Sequence, residues 1–218
     1  MPSSSNRNDI CCIFDFDGTL VDNFNSAIEK FNILADEFNF KKIDPAKSIN
    51  LKDLSSRELI KYLKIPLYKI PSALYKARKQ MSSEISKLAP VSNLLHVLTK
   101  MYDANFFLGI VTSNSKENVT SWLDSYKIKH FFHFIHVEPN YFGKNRVIKK
   151  VLKKYRMSKS HVFYIGDETR DIDAAKQNGI YSIAVTWGFN SEKILLQHQP
   201  HYIARNPNDL LTICGLDS

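Results

Sequence analysis

No stretch of this chain approaches the roughly 20 consecutive apolar residues that cross a bilayer, so a membrane-spanning role is not expected. The opening Met-Pro-Ser-Ser-Ser-Asn-Arg-Asn-Asp lacks the apolar core of a secretory signal and reads as a short disordered lead-in. Internal repeats and low-complexity tracts are missing too, which leaves an ordinary globular chain. Cysteine is scarce and odd in number, with three residues. Cys11 and Cys12 are adjacent, where a mutual bridge would be strained, and Cys214 lies far away. That pattern excludes a disulfide framework and predicts reduced, buried thiols in a cytoplasmic protein.

What is present suits one α/β domain with a substantial insertion. The 218 residues are 44% hydrophobic and 24% charged, ordinary values for a globular protein. A net charge of +8 raises the question of nucleic acid. The lysines are scattered, however, and the densest run, Lys149 to Lys154, lies on a helical pattern. There Val147, Ile148, Val151, Leu152 and Tyr155 form the apolar face, so the lysines are expected in solvent. A positive field would also draw in a small anionic substrate.

After residue 90, helix and strand patterns alternate. Apolar runs at 106–112, 133–137, 162–165 and 181–187 read as strands. Helices are expected around Leu94–Met101, Val119–Tyr126, Lys144–Arg156 and 170–178, the last ending at Gly179. With the first strand at Ile10–Phe14, this predicts an α/β fold with a doubly wound, Rossmann-like parallel sheet covered on both faces. Residues 22–89 break the rhythm. Phe24, Ile28, Phe31, Leu34, Ala35 and Phe38 trace one amphipathic helix, and Ser55 to Glu58 resembles a capping box opening a second. Pro71 opens a third, striped by Leu74, Ala77, Met81, Ile85 and Leu88. The expected division is an α/β core of residues 1–21 and 90–218, with a helical insertion at 22–89.

Four places carry chemistry. The first strand runs into Asp15-Phe16-Asp17-Gly18-Thr19, where two carboxylates two residues apart leave one strand end on the same side. Such a pair repels itself unless a cation or shared proton relieves it. The second strand ends at Thr112-Ser113-Asn114, where hydroxyls beside a helix start suit phosphate oxygens, although a serine there is equally an N-cap. Lys144 opens a helix, where its charge opposes the helix dipole; an anionic site would explain it, as would simple exposure. Finally, Ile165-Gly166-Asp167 ends a buried strand, with Asp171 four residues on. Asp171 has a structural reason at a helix start. Asp167 has none and suits a hard divalent cation. His130, His133 and His136 recur every third residue but fit no single ligand face.

Together and in this order, these segments resemble the haloacid dehalogenase superfamily, in particular its phosphoglycolate-phosphatase-like members with a helical C1-type cap. The resemblance implies a sheet order of 3-2-1-4-5 and hydrolysis of a small phosphate monoester. Asp15 would be the nucleophile, forming an aspartyl-phosphate, and Asp17 the general acid and base. Mg2+ would be held by Asp15, the Asp17 carbonyl and Asp167, with Asp171 supporting it. Gly18, Thr112, Ser113 and Lys144 would bind the phosphate. In the cap, Lys52, Arg57 and Lys61 could reach a second anionic group. A phosphomutase of the β-phosphoglucomutase type and a non-catalytic basic binding module are the alternatives. A dehalogenase is disfavoured because Asp17 is present. The expected partner is a small phosphorylated metabolite, not a membrane or nucleic acid; no motif speaks to oligomeric state.

Overall fold

The run after Ile10 forms β1 (Cys11–Phe14) at the centre of a six-stranded parallel sheet. The computed structural model describes residues 10–138 and 143–216; the lead-in at 1–9 and Phe142, ahead of Lys144, lie outside the described residues. All four β1 residues are buried. Because side chains alternate across a strand, Cys12 and Phe14 join one apolar cluster and Cys11 and Ile13 the other. The three cysteines are free and buried, as their spacing predicts.

On one side of β1 lie β2 (Phe107–Thr112) and then β3 (Phe132–Val137). On the other lie β4 (Val162–Gly166), β5 (Tyr181–Val185) and β6 (Tyr202–Ala204), giving the order β3-β2-β1-β4-β5-β6. The first five positions follow the expected order. The sixth extends it: β6 has three residues, an exposed Tyr202 and only Ala204 fully buried, too short for any periodicity to announce it. The winding direction reverses between β1 and β4. A crevice opens there beyond the carboxyl ends of the strands, the usual ligand position in such sheets. Phe14 pairs with both Ile110 and Ile165, so Asp15, Thr112 and Asp167 emerge at one rim.

Helices α5 (Leu94–Asp103), α6 (Lys116–Ser125), α7 (Lys144–Lys154), α8 (Thr169–Asn178), α9 (Glu192–Gln197) and α10 (Asp209–Ile213) complete this unit, preceded in the chain by four further α-helices. On α7, Val147, Ile148, Val151 and Leu152 are buried and Lys149, Lys150, Lys153 and Lys154 exposed, as a solvated face requires. Gly179 ends α8 with φ 66°, the left-handed conformation that glycine tolerates best. Among the described residues no helix is long and apolar enough to cross a membrane.

Between residues 22 and 89 the regular elements are all helical: α1 (Phe24–Phe38), α2 (Ser48–Leu51), α3 (Ser56–Tyr62), α4 (Ile70–Met81) and short 3-10 turns. Ser55 and Glu58 form the expected capping box on α3. The α4 stripe stops earlier than expected. The helix ends at Met81, where the Ser82 hydroxyl donates back to the Lys79 carbonyl at 2.8 Å and competes with the helical pattern. Ile85 instead sits in a separate 3-10 turn, buried with Met81 against the core of the sheet unit.

The two connections to this helical segment run side by side. Asp22 N–H donates to the Ala89 carbonyl at 3.0 Å, and Val91 N–H to the Leu20 carbonyl at 3.1 Å. Trp122 Nε1–H and the Tyr126 hydroxyl both donate to the Leu88 carbonyl, at 2.8 and 3.0 Å. Trp122 is fully buried, edge-on to Phe16. Replacing Trp122 with Phe removes one of these donors and leaves a void, so a loss of about 1–3 kcal/mol is expected. A lowered urea midpoint with an unchanged slope would register it.

Candidate active site

Asp15 leaves β1 fully enclosed. Its Oδ1 accepts the Phe16 N–H at 2.8 Å, and its Oδ2 is paired with the Lys144 ammonium. The same ammonium reaches Asp171 Oδ1 at 2.6 Å. Lys144 is thus the first residue of α7 but points inward between two carboxylates, which answers why a cation opens this helix. Burial works against its charge, yet Asp15 and Asp171 hold its pKa above the ordinary lysine value.

Asp17 is only partly buried and sits in a different environment. Asn23 Nδ2 donates to its Oδ1 at 2.7 Å, and Asn114 Nδ2 to both of its oxygens at 3.0 Å. Burial first, then the Asp15 carboxylate, push its pKa up to about 6, with the two amides opposing. Gly18 turns the chain beside it at φ 73°. A Cβ there would lie 2.3 Å from Asp167 Oδ2, so only glycine fits. Thr112 is buried, and its hydroxyl accepts the Asn114 N–H at 3.0 Å, leaving its own hydrogen to donate. Ser113 is partly buried and receives Arg170 at 3.4 Å. Ser115, not Ser113, is the N-cap of α6.

Asp167 is buried at the end of β4. The Thr19 hydroxyl donates to its Oδ1 at 2.6 Å and the Phe189 N–H to its Oδ2 at 2.7 Å. Gly18 and Gly188 close in on this carboxyl, and Gly166 on that of Asp171. Oxygens of Asp15, Asp167 and Asp171 all lie within 4.8 Å of one another. Burial, then Glu168, Asp15 and Asp171, push the Asp167 carboxyl well above its usual range, and burial takes Asp171 up to about 6 against the pull of Lys144. One ammonium among clustered carboxylates leaves negative charge uncompensated. The donor set is all hard oxygen. Both facts fit a divalent cation.

The helical segment meets this rim through the stretch after α2. Lys52 Nζ donates to the Gly188 carbonyl at 2.7 Å and lies 4.2 Å from the Phe24 ring centroid. Ser191 N–H donates to the Lys52 carbonyl at 2.8 Å, and Asn190 Nδ2 to the Leu54 carbonyl at 2.9 Å. Lys52 is therefore engaged with the loop that carries the Asp167 contacts. Arg57 is exposed and borders a smaller cavity with Lys144 and Arg170, while Lys61 is exposed on α3.

Several groups at the rim escape a sequence reading. Asn23 and Asn114 look like ordinary turn residues until the fold brings both onto Asp17. Arg78 of α4 feels the charges of Asp17, Arg170 and Glu138. Its one sequence signal is a cation among the apolar residues of a helix stripe. The histidines do not converge: His133 and His136 sit an odd number of residues apart on β3, on opposite faces, and His133 stacks on Phe107 at 4.1 Å.

Comparison with known proteins agrees with this arrangement. The family model described as haloacid dehalogenase-like hydrolase matches residues 12–185. The phosphoglycolate phosphatase of Synechococcus elongatus is 30% identical over 199 residues, covering 91% of this chain and 94% of that protein. The pyrophosphatase PpaX of Halalkalibacterium halodurans is 24% identical, covering 94% and 96%. Among solved structures, a haloacid dehalogenase-like family hydrolase from Streptococcus pneumoniae shares the fold with a TM-score of 0.72 at 24% identity, covering 94% of this chain and 98% of that one. The match runs from β1 through β5 and takes in every carboxylate of the rim: the chain is an enzyme that belongs to the haloacid dehalogenase-like hydrolase family.

Proposed function

We propose that the chain is a Mg2+-dependent phosphatase that hydrolyses a small phosphate monoester through an aspartyl-phosphate on Asp15. The observation that carries this reading is the contrast between two acids of one motif. Asp15 is enclosed and paired with Lys144, whereas Asp17 is held by two amides, and burial and the Asp15 charge push its pKa up to about 6. Carboxyls whose environments differ in this way suit separate roles, one nucleophilic and one transferring protons.

In the first step an Asp15 oxygen bonds to phosphorus, the bond from phosphorus to the alcohol oxygen breaks, and Asp17 gives that oxygen its proton. In the second, Asp17 takes a proton from water as the water oxygen bonds to phosphorus. The bond between phosphorus and Asp15 then breaks, releasing inorganic phosphate. The Thr112 and Ser113 hydroxyls, Lys144 and the Gly18 backbone would hold the phosphoryl oxygens. Asp15, Asp167 and the Asp17 carbonyl, with Asp171 beside them, would hold Mg2+, which when bound neutralises phosphate charge. Residues 22–89 would act as a cap on the core of 1–21 and 90–218, hinged at the paired connections and latched by Lys52 on Gly188.

Asp17→Asn tests the division of labour. Alkyl phosphates, whose leaving oxygen needs a proton, should slow by about 10²–10⁴-fold. Aryl phosphates, with good leaving groups, should slow at least tenfold less. Single-turnover release of the alcohol or phenol with Mg2+, which reports on the first step before the water step common to both classes, measures this, and equal losses would make Asp17 structural. Adding a sugar phosphate acceptor during turnover of an aryl phosphate separates hydrolysis from phosphoryl transfer.

A further inference from the structure

A cavity of about 300 Å³ begins at Asp17 and runs into the helical segment. Its walls include Phe31 and Leu34 of α1, Ile60 of α3 with Leu63 just past its end, and Leu74 and Ala77 of α4. The polar side chains are gathered at the core end, around Asp17, Glu168 and Arg170, apart from Ser48 and Lys30. The cations on this wall are already engaged: Arg170 Nε donates to Glu168 at 2.7 Å, and Lys30 pairs with Glu84 at 2.9 Å. Arg170 and Arg78 lie at the Asp17 end, so a carboxylate carried past it into the helical end would meet apolar side chains where it needs a counter-charge, and burying an unpaired carboxylate is strongly unfavourable.

We propose that the ester carries an apolar alcohol, which occupies this cavity. The inference rests on the phosphatase reading, because Asp17 is there the group that protonates the leaving oxygen. Whatever extends from that oxygen past Asp17 enters the cavity. Largely apolar pockets take apolar ligands, and the volume, on the order of ten waters, admits an alcohol of about six to eight carbons. The occupant is an alkyl or aryl alkyl chain; charged or polyhydroxylated alcohols would lose hydration at the helical end, where the walls are largely apolar.

The test compares methyl, butyl and hexyl phosphate with phosphoglycolate, with Mg2+ present. Each added methylene should raise kcat/KM by up to about fourfold, and hexyl phosphate should exceed phosphoglycolate at least tenfold. Ala77→Phe, which fills the cavity, should cut the hexyl-to-methyl ratio at least tenfold; should that variant not fold, the wild-type series decides alone. A flat series, or preference for phosphoglycolate, overturns the inference and leaves the phosphatase reading intact. Calorimetry with methyl- and hexylphosphonate separates the two claims. If no ester turns over but hexylphosphonate still binds at least tenfold tighter, the cavity assignment stands and the phosphatase reading fails. If neither turnover nor chain-length dependence is found, both fall.

Discussion

Asp15→Asn is expected to lower turnover of p-nitrophenyl phosphate by at least about 10⁴-fold while leaving a folded protein. Losing the atom that forms the covalent intermediate removes the pathway itself, and such losses in nucleophile-dependent enzymes reach about 10⁶-fold. An aryl ester is the right probe because its leaving group needs little protonation, so attack by Asp15 in the first step makes little demand on Asp17. The substitution keeps the shape of the side chain, and Lys144 keeps Asp171 as a partner at 2.6 Å. It does place an amide where a carboxylate took both the Phe16 N–H and the ammonium, so some loss of stability accompanies it. A melt run beside the assay separates the two effects. Turnover within tenfold of wild type in a folded variant would exclude Asp15 as nucleophile.

The carboxylates were readable in sequence because each follows a short buried strand. Apolar runs end in Asp15, which is paired with Asp17, and in Asp167, which has no local structural reason, and the parallel sheet places both at one rim. Lys144 was readable through a local misfit with the helix dipole, which its two buried ion pairs resolve. What could not be read is what depends on distant contact. Thr19 carries a hydroxyl in any reading, but its partner Asp167 lies 148 residues away. Gly188 looks like a turn residue, yet a Cβ there would lie 2.3 Å from the Asp167 side chain. The apolar stripes of α1, α3 and α4 announced helices without saying that a cavity remained between them, because periodicity reports which face is buried and not how well it is filled. Lys52 shows the same limit: its reading as a cation that could reach a second anionic group holds no sign of the Gly188 carbonyl, 136 residues away, to which it donates.

Asp167→Asn should raise the Mg2+ concentration for half-maximal activity at least tenfold, since one of few carboxylate donors becomes a neutral amide. It should also change how stability depends on pH in the metal-free protein. In the folded state burial and the surrounding carboxylates raise the Asp167 pKa well above its unfolded value. The stability associated with its protonated form is therefore fully present below the unfolded pKa and is lost as pH rises through the folded one. The Asn variant carries no such penalty. It does carry a constant cost, because its single amide oxygen can accept from only one of the Thr19 hydroxyl and the Phe189 N–H, both of which Asp167 accepts, at 2.6 and 2.7 Å. The offset between the two proteins is thus uninformative, and the slope is the observable. Without metal, the melting temperature of the variant relative to wild type should climb as pH goes from about 4 to 8, by about 2–4 °C for each 1 kcal/mol of relieved charge. With saturating Mg2+ the wild type should gain stability and the variant much less, because a ligand stabilises only the state that binds it. A pH-independent difference together with equal Mg2+ stabilisation would show that Asp167 is held in place by Thr19 and Phe189 for packing alone.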